Sequence, residues 1–175
     1  SNKFKKSLSD AKQLMVEQPA NFFQELQQLC ADAGVKLVHT PCLPKAPLSG
    51  ATRWLGDAPL IQLTGRGKKY DRLWFTFYHE AGHIMLHGKK DIFLEDVEYK
   101  GKEIKKEQEA DDFASEWLLS QDQIEEILSN SELDEQMVRD YATKFGTHPS
   151  IIIGRLQYLK LIPYSIGNEL LDTID

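Results

Sequence analysis

The stretch from Leu73 to Met85 constrains the fold of this 175-residue chain more than any other, because it is apolar on almost every side yet contains two histidines and a glutamate. It reads LWFTFYHEAGHIM. A helix that is hydrophobic all round is buried in the core of a protein. Burying two histidines and a glutamate without compensating partners is costly. The stretch therefore predicts a buried helix that binds a metal ion. The alternative is a chance pattern whose histidines are satisfied within the core.

Within this helix, His79, Glu80 and His83 form an H-E-x-x-H pattern. Residues four apart lie one turn apart on the same face of an α-helix, so the two histidines can bind one zinc ion together. Glu80 follows the first histidine, and we expect it to act as general base toward water at the open coordination position. Zinc lowers the pKa of such a water from 15.7 to about 7, which lets a carboxylate complete its activation.

A third protein ligand is needed, and the acidic segment 107–114 is the best source of one. Helical spacing puts Glu107 closer than Glu109 to the apolar face of a helix there, so Glu107 is the favoured ligand and Glu109 the alternative. Asp111 lies one turn after Glu107 and is predicted to orient a ligand histidine. Gly82 indicates close packing of a neighbouring element, either as plain packing or because that element carries the third ligand.

Two segments of the chain carry a joint pattern: FTFYHEAGH followed by Leu86-His87, and E-x-x-A-D-x-F-A from Glu107 followed by Leu118-Leu119. In this order they resemble the ImmA/IrrE family of zinc metallopeptidases, firmly over residues 35–120 and loosely in the C-terminal helices. The tripeptide Ser49-Gly50-Ala51 and the strand at 60–63 also fit the family. One departure is that the familiar Leu-Leu-Met-Pro ending is replaced here by Leu118-Leu119-Ser120-Gln121.

This resemblance implies a gluzincin-like site with two histidines and one glutamate on zinc. It also implies members that cleave repressors or act in phage, stress and toxin–antitoxin regulation. The functional hypothesis is a zinc-dependent endopeptidase that cleaves a regulatory protein, a repressor or an antitoxin-like protein. The alternative is a non-catalytic zinc-binding sensor or partner-binding module of a transcriptional regulator or antitoxin. Many members carry an N-terminal helix-turn-helix domain, so DNA is expected as a partner only through such a missing domain.

Charge and composition argue against two other classes of function. Lys and Arg number 21 against 27 Asp and Glu, and the acidic excess lies in residues 91–175, which a uniform nucleic-acid binder would not show. No apolar run approaches the ~20 residues that span a bilayer, so no membrane partner is expected. Cys30 and Cys42 have neither metal-binding nor redox spacing, which suits a reducing, cytoplasmic compartment.

Hydrophobic periodicity predicts an α+β fold, in which a small mixed or antiparallel three-stranded sheet packs on the H-E-x-x-H helix beside a helical C-terminal part. We divide the chain into N-terminal helices at 1–34, a zincin-like metallopeptidase core at 35–120 and a C-terminal helical subdomain at 121–175. The predicted strands of the sheet are 35–40, 51–55 and 60–64, and a further short strand is predicted at 91–97. The predicted helix N-caps are Asn21, Asp71 and Ser120, the last in a capping box with Gln123.

Five further residues are candidates for roles near the metal. His87 lies one turn after His83 and is either an additional ligand or donor, or a histidine favoured by the negative end of the helix dipole. Tyr78, Tyr99 and His148 are candidate hydrogen-bond donors to a developing oxyanion, with no preference among them. Cys42 is either an inhibitory thiolate on the metal or an ordinary loop cysteine.

Overall fold

A computed structural model describes residues 2–41, 49–64, 69–89, 93–94 and 101–174. Tyr99 and Cys42 lie outside the described residues. The described residues form seven α-helices, four strands and a short 3-10 helix. In chain order these are α1 (Asn2–Glu17), α2 (Phe22–Asp32), β1 (Lys36–Thr40), β2 (Gly50–Leu55), β3 (Ala58–Thr64), α3 (Tyr70–Leu86), β4 (Phe93–Leu94), α4 (Lys102–Leu118), α5 (Gln121–Leu128), α6 (Glu135–Phe145), α7 (Pro149–Tyr158) and the 3-10 helix Asn168–Leu170.

The four strands form one mixed sheet in the order β1-β3-β2-β4. β1 runs parallel to β3, with Lys36 opposite Leu60, and β2 runs antiparallel to β3. The two-residue β4 pairs with Ala51 and Thr52 of β2. The predicted α+β class is confirmed. The sheet has four strands and not three, because β4, which lies within the short strand predicted at 91–97, also pairs with β2. The proposed division into three parts stays a prediction.

Helix α3 lies at the centre of the main core and packs against the sheet, α4 and α7. Trp74, Phe77 and Tyr78 are completely buried, as the all-round apolar pattern predicts. The hydroxyl of Tyr78 donates to the carbonyl of Leu8 in α1 at 2.7 Å. A buried tyrosine needs such a partner for its hydroxyl, so α1 both covers the aromatic side chains of α3 and satisfies them.

The contact between α3 and α4 is close because Gly82 has no side chain. A Cβ atom added at Gly82 would lie 3.2 Å from the Cα of Ala110 and 3.2 Å from the Cβ of Phe113. Both neighbours belong to α4. The absence of a Cβ lets the two helix backbones approach, and α4 is the helix that carries Glu107. The close packing predicted at Gly82 is therefore present, and the neighbouring element is the one with the acidic segment.

A second apolar cluster joins α5, α6 and α7 with the C-terminal segment. The predicted capping box at Ser120 and Gln123 is confirmed. The Asp71 cap is wrong: α3 begins at Tyr70 with Lys69 as N-cap, two residues before the predicted cap. The carbonyl of Asp172 accepts from the amide of Tyr70 and so satisfies the first amide of the helix from outside it. Asn21 does cap α2, but its side chain makes no capping hydrogen bond. Every helix among the described residues is too short or too polar to cross a lipid bilayer.

Candidate metal centre

Helices α3 and α4 bring two imidazole rings and one carboxylate together. The Nε2 atoms of His79 and His83 lie 3.1 Å apart. The carboxylate of Glu107 reaches both rings, with Oε2 3.2 Å from Nε2 of His79 and Oε1 3.2 Å from Nε2 of His83. Both histidines are buried, and the Glu107 side chain is 21% exposed. The structure thus brings together the three residues that the sequence favours as metal ligands.

The separations within this group fit a tetrahedral zinc ion. Ligand atoms at about 2.0–2.1 Å from zinc lie about 3.3 Å from one another. Two imidazole nitrogens and one carboxylate oxygen are a donor set of catalytic zinc sites, which leave the fourth position to water or substrate. The ligand atoms of His79, His83 and Glu107 match this set in both type and spacing.

A hydrogen bond behind the His79 ring favours the same conclusion. Its Nδ1 atom lies 2.8 Å from Oδ1 of Asp111. An ionised carboxylate only accepts, so Nδ1 carries the proton and, in the neutral ring, Nε2 keeps its lone pair. That lone pair is directed at the carboxylate of Glu107, which is itself an acceptor. A cation between these acceptors would satisfy both, and Asp111 has the orienting position predicted for it.

A series of two hydrogen bonds, which was not predicted from the sequence, supports the His83 ring at its Nδ1 atom. Its Nδ1 lies 2.9 Å from Nδ1 of His87, whose Nε2 lies 3.0 Å from Oε2 of Glu109. Because Glu109 accepts from Nε2 of His87, the other His87 nitrogen accepts from His83, which leaves the His83 Nε2 lone pair directed at Glu107. His87 and Glu109 are therefore partners of a candidate ligand, and Glu109 does not join the three-residue group.

The charges around the site favour the forms of these residues that bind metals. Burial alone would raise the pKa of Glu107, but the neighbouring His79 and His83 rings lower it to about 2. Burial lowers the pKa of His83, and the neighbouring His79 and His87 lower it further against the opposing effect of Glu107. An ionised carboxylate and a neutral imidazole are the protonation states that metal binding requires.

Glu80, the candidate general base, is completely buried and is held by strand β2. The hydroxyl of Thr52 hydrogen-bonds to Oε2 of Glu80. Gly50, on the same strand, leaves space for the glutamate: a Cβ there would lie 2.5 Å from Cγ2 of Thr76 and 3.0 Å from Oε1 of Glu80. Thr52 is not among the residues predicted from the sequence. Its position two residues after Gly50, on a strand predicted to approach the helix, is the signal that could have found it.

Two of the candidate oxyanion donors lie away from this group. Tyr78 is turned toward α1, as described above. His148 caps α7, where its Nδ1 accepts from the amide of Ser150 and its Nε2 lies 3.0 Å from Oε1 of Gln18. Neighbouring residues of an α-helix point about 100° apart, so Tyr78 faces away from the site although it precedes His79 in sequence.

A cavity of about 370 Å³ lies beside the three candidate ligands His79, His83 and Glu107, here called the metal-binding group. It is bounded by α3, α4, α7 and the C-terminal segment. This volume is in the range of sites that bind small molecules or short peptide segments. Its lining includes His79, Glu107 and Asp111 together with Phe75 and Arg155. A place for Arg155 at the site could not be predicted from the sequence, because only the tertiary packing of α7 brings this residue to the cavity.

Comparison with known proteins gives a family for the whole arrangement. A sequence profile of the peptidase family described as the IrrE N-terminal-like domain matches residues 30–156. No curated protein matches the chain. The profile spans the sheet, the H-E-x-x-H helix, the helix with Glu107 and most of α7. The chain therefore belongs to the IrrE N-terminal-like family of metallopeptidase domains, as its resemblance to ImmA/IrrE proteins predicted.

Proposed function

We propose that this protein is a zinc-dependent endopeptidase that cleaves a regulatory protein of the repressor or antitoxin type. Its family supports a metallopeptidase-type function. The observation that carries the proposal is the convergence of His79, His83 and Glu107 on one point. Glu80, which follows His79 on the same helix, supplies a buried carboxylate. The choice of a regulatory protein as substrate rests on the ImmA/IrrE resemblance.

Peptide hydrolysis requires metal binding, proton transfer and positioning, and different residues of the chain would supply each of these functions. His79, His83 and Glu107 would hold the metal. Zinc bound there would supply a Lewis acid that polarises the scissile carbonyl and lowers the pKa of the attacking water. Glu80 would accept a proton from the attacking water and pass it to the leaving amine nitrogen, first as general base and then as general acid. Thr52 holds the Glu80 side chain through its hydrogen bond to Oε2.

The first experiment compares the zinc-loaded wild-type protein with Glu80→Gln. The candidate substrates are the proteins encoded beside this one, and mass spectrometry identifies the cleavage products. Removal of a general base is expected to slow cleavage by 10²–10⁴-fold. Zinc content should stay unchanged, because Glu80 is not among the proposed ligands. The matched control is Glu132→Gln, an exposed glutamate distant in sequence from the site, which should cleave like the wild type.

Two results would contradict the proposal. Unchanged cleavage by Glu80→Gln would remove this residue from the mechanism. Binding of an encoded neighbour with zinc present, but with no cleavage at any enzyme concentration, would instead favour the alternative of a zinc-binding sensor or partner-binding module.

A further inference from the structure

Arg155 of α7 is a half-buried cation in the wall of the cavity that also contains His79 and Glu107. The central carbon of its guanidinium lies 5.0 Å from the ring centre of Phe75 and 5.5 Å from the ring centre of Tyr158. Its Nη2 donates to Oγ of Ser115 at 2.8 Å. Two aromatic contacts and one hydrogen bond hold the planar group in a defined orientation.

The charge of Arg155 has no carboxylate in direct contact. None of the described residues forms an ion pair with it, and its Nε makes no hydrogen bond. Burial lowers the pKa of the guanidinium, and attraction from Asp111, Tyr158 and Asp112 opposes this effect without offsetting it. Asp111 is in addition engaged with His79. A half-buried cation that is only partly compensated is an unfavourable arrangement, and a bound anion would relieve it.

Phe75 connects this cation to the metal centre. Its ring centre lies 6.5 Å from that of His79, on the same face of α3. The guanidinium is therefore within about 12 Å of the His79 ring, a distance covered by three or four residues of extended chain. A peptide whose scissile bond lies at the metal centre can thus present a nearby side chain to Arg155.

We propose that Arg155 binds a carboxylate of the peptide in this cavity, namely the side chain of an Asp or Glu within about three residues of the scissile bond. The planar fork of a guanidinium matches a carboxylate through two parallel hydrogen bonds, which the terminal Nη1 and Nη2 atoms of Arg155 would donate. The proposal rests on the proposed peptidase function, and it assigns an acidic residue to the substrate class.

The test begins with binding, so that it does not depend on cleavage. Zinc-loaded Glu80→Gln protein is immobilised and incubated with a random peptide library whose C-termini are amidated. Retained peptides should be enriched in Asp or Glu. Introducing Arg155→Met into this protein should abolish the enrichment. It should also weaken the binding of a retained Glu-containing peptide by roughly 10–100-fold, while the binding of the same peptide with Gln in place of Glu stays unchanged. Arg139→Met, which removes an exposed arginine from α6, should leave the enrichment unchanged.

Folding and zinc content of each variant are checked by circular dichroism and metal analysis. Should Arg155→Met not fold, Arg155→Lys replaces it: the lysine keeps the charge but loses the planar fork, so the preference for Glu over Gln should fall several-fold. Equal enrichment in the parent and in the Arg155 variant would overturn the proposal. A second library with free C-termini is tested in parallel. Retention there of peptides that have no acidic side chain, through Arg155, would overturn the assignment to a side chain.

Failure of this inference and failure of the proposed function give different results. If the wild-type protein cleaves peptides with no dependence on Arg155 or on acidic residues, the peptidase proposal stands and the inference fails. If the Glu80→Gln protein retains acidic peptides through Arg155 but the wild type cleaves none of them, the binding site stands and the peptidase proposal fails. If peptides are neither retained nor cleaved, both fail.

Discussion

At the scale of single residues, each histidine of the metal-binding group depends on a partner behind its ring. Asp111 contacts His79 directly. His83 instead contacts His87, which leads on to Glu109. Such partners fix the tautomer and the orientation of a ligand histidine, and losing one typically costs 10–100-fold in metal affinity. The two histidines thus have different supports although they lie one turn apart.

We expect His87→Leu to weaken zinc binding by roughly 10–100-fold, because His83 loses the group that accepts its Nδ1 proton. Competition with a chelator of known affinity measures the change. His87→Gln should retain more affinity, since its amide oxygen can accept the same hydrogen bond. His39→Leu is the matched control, because His39 is an exposed residue of β1 outside the metal-binding group. Equal zinc affinity in His87→Leu and the wild type would contradict this role.

At the scale of elements, the site depends on how closely α4 packs against α3. The histidines belong to α3 and Glu107 to α4, so the separation of the two helix axes sets the distance from the carboxylate to both rings. At Gly82 the absence of a Cβ lets these backbones approach closely, since an added Cβ would lie 3.2 Å from the Cα of Ala110. The acid and the imidazoles therefore meet only as long as this position has no side chain.

Replacing Gly82 with Ala should lower zinc affinity while changing stability little. The added Cβ would press on the backbone of Ala110, which yields only if α4 shifts by a few tenths of an ångström. Ala is more favourable than Gly within a helix by about 1 kcal/mol, and this gain offsets part of the strain. Chelator competition and urea denaturation measure the two effects separately.

The control for this substitution is Gly88→Ala, because a Cβ at Gly88 meets no atom within 4 Å. It should change neither zinc affinity nor the packing of α4. If Gly82→Ala were destabilised by several kcal/mol while binding zinc as tightly as the wild type, Gly82 would serve the core and not the site.

At the scale of the whole molecule, a bound metal would link two helices that are far apart in sequence. Any ligand that binds only the folded state raises its stability, by about 2.7 kcal/mol at a free concentration 100 times the dissociation constant. For a chain of this length, 1 kcal/mol shifts the midpoint of thermal unfolding by about 2–4 °C. Zinc should therefore act as a stabilising cross-link between α3 and α4.

Adding zinc to the metal-free protein should raise its melting temperature by roughly 5–10 °C, and a chelator should reverse the shift. Differential scanning calorimetry measures both directions. His83→Ala, which lacks one proposed ligand, should show a much smaller shift at the same zinc concentration. A shift of the same size in that variant would mean that zinc stabilises the protein from a different site.

Much of the fold could be predicted because its signals are local. The apolar stretch around His79 predicted a buried helix, and the apolar stripe after Glu107 predicted a second one. The capping box at Ser120 was readable because both of its residues lie within one turn. The start of α3 was misplaced at Asp71 because the carbonyl of Asp172, a hundred residues away, engages the amide of Tyr70.

The sequence by itself determined the three residues brought together at the candidate metal centre, since helical spacing and a two-part motif both depend only on order along the chain. Tertiary structure alone decided what surrounds them. It places Glu109 against His87, which supports His83, and it brings Thr52 within hydrogen-bonding distance of Glu80. It also places Arg155 in the wall of the cavity. These contacts join segments 22 to 80 residues apart. Their geometry is set by how helices and sheet pack, which spacing within one element does not encode.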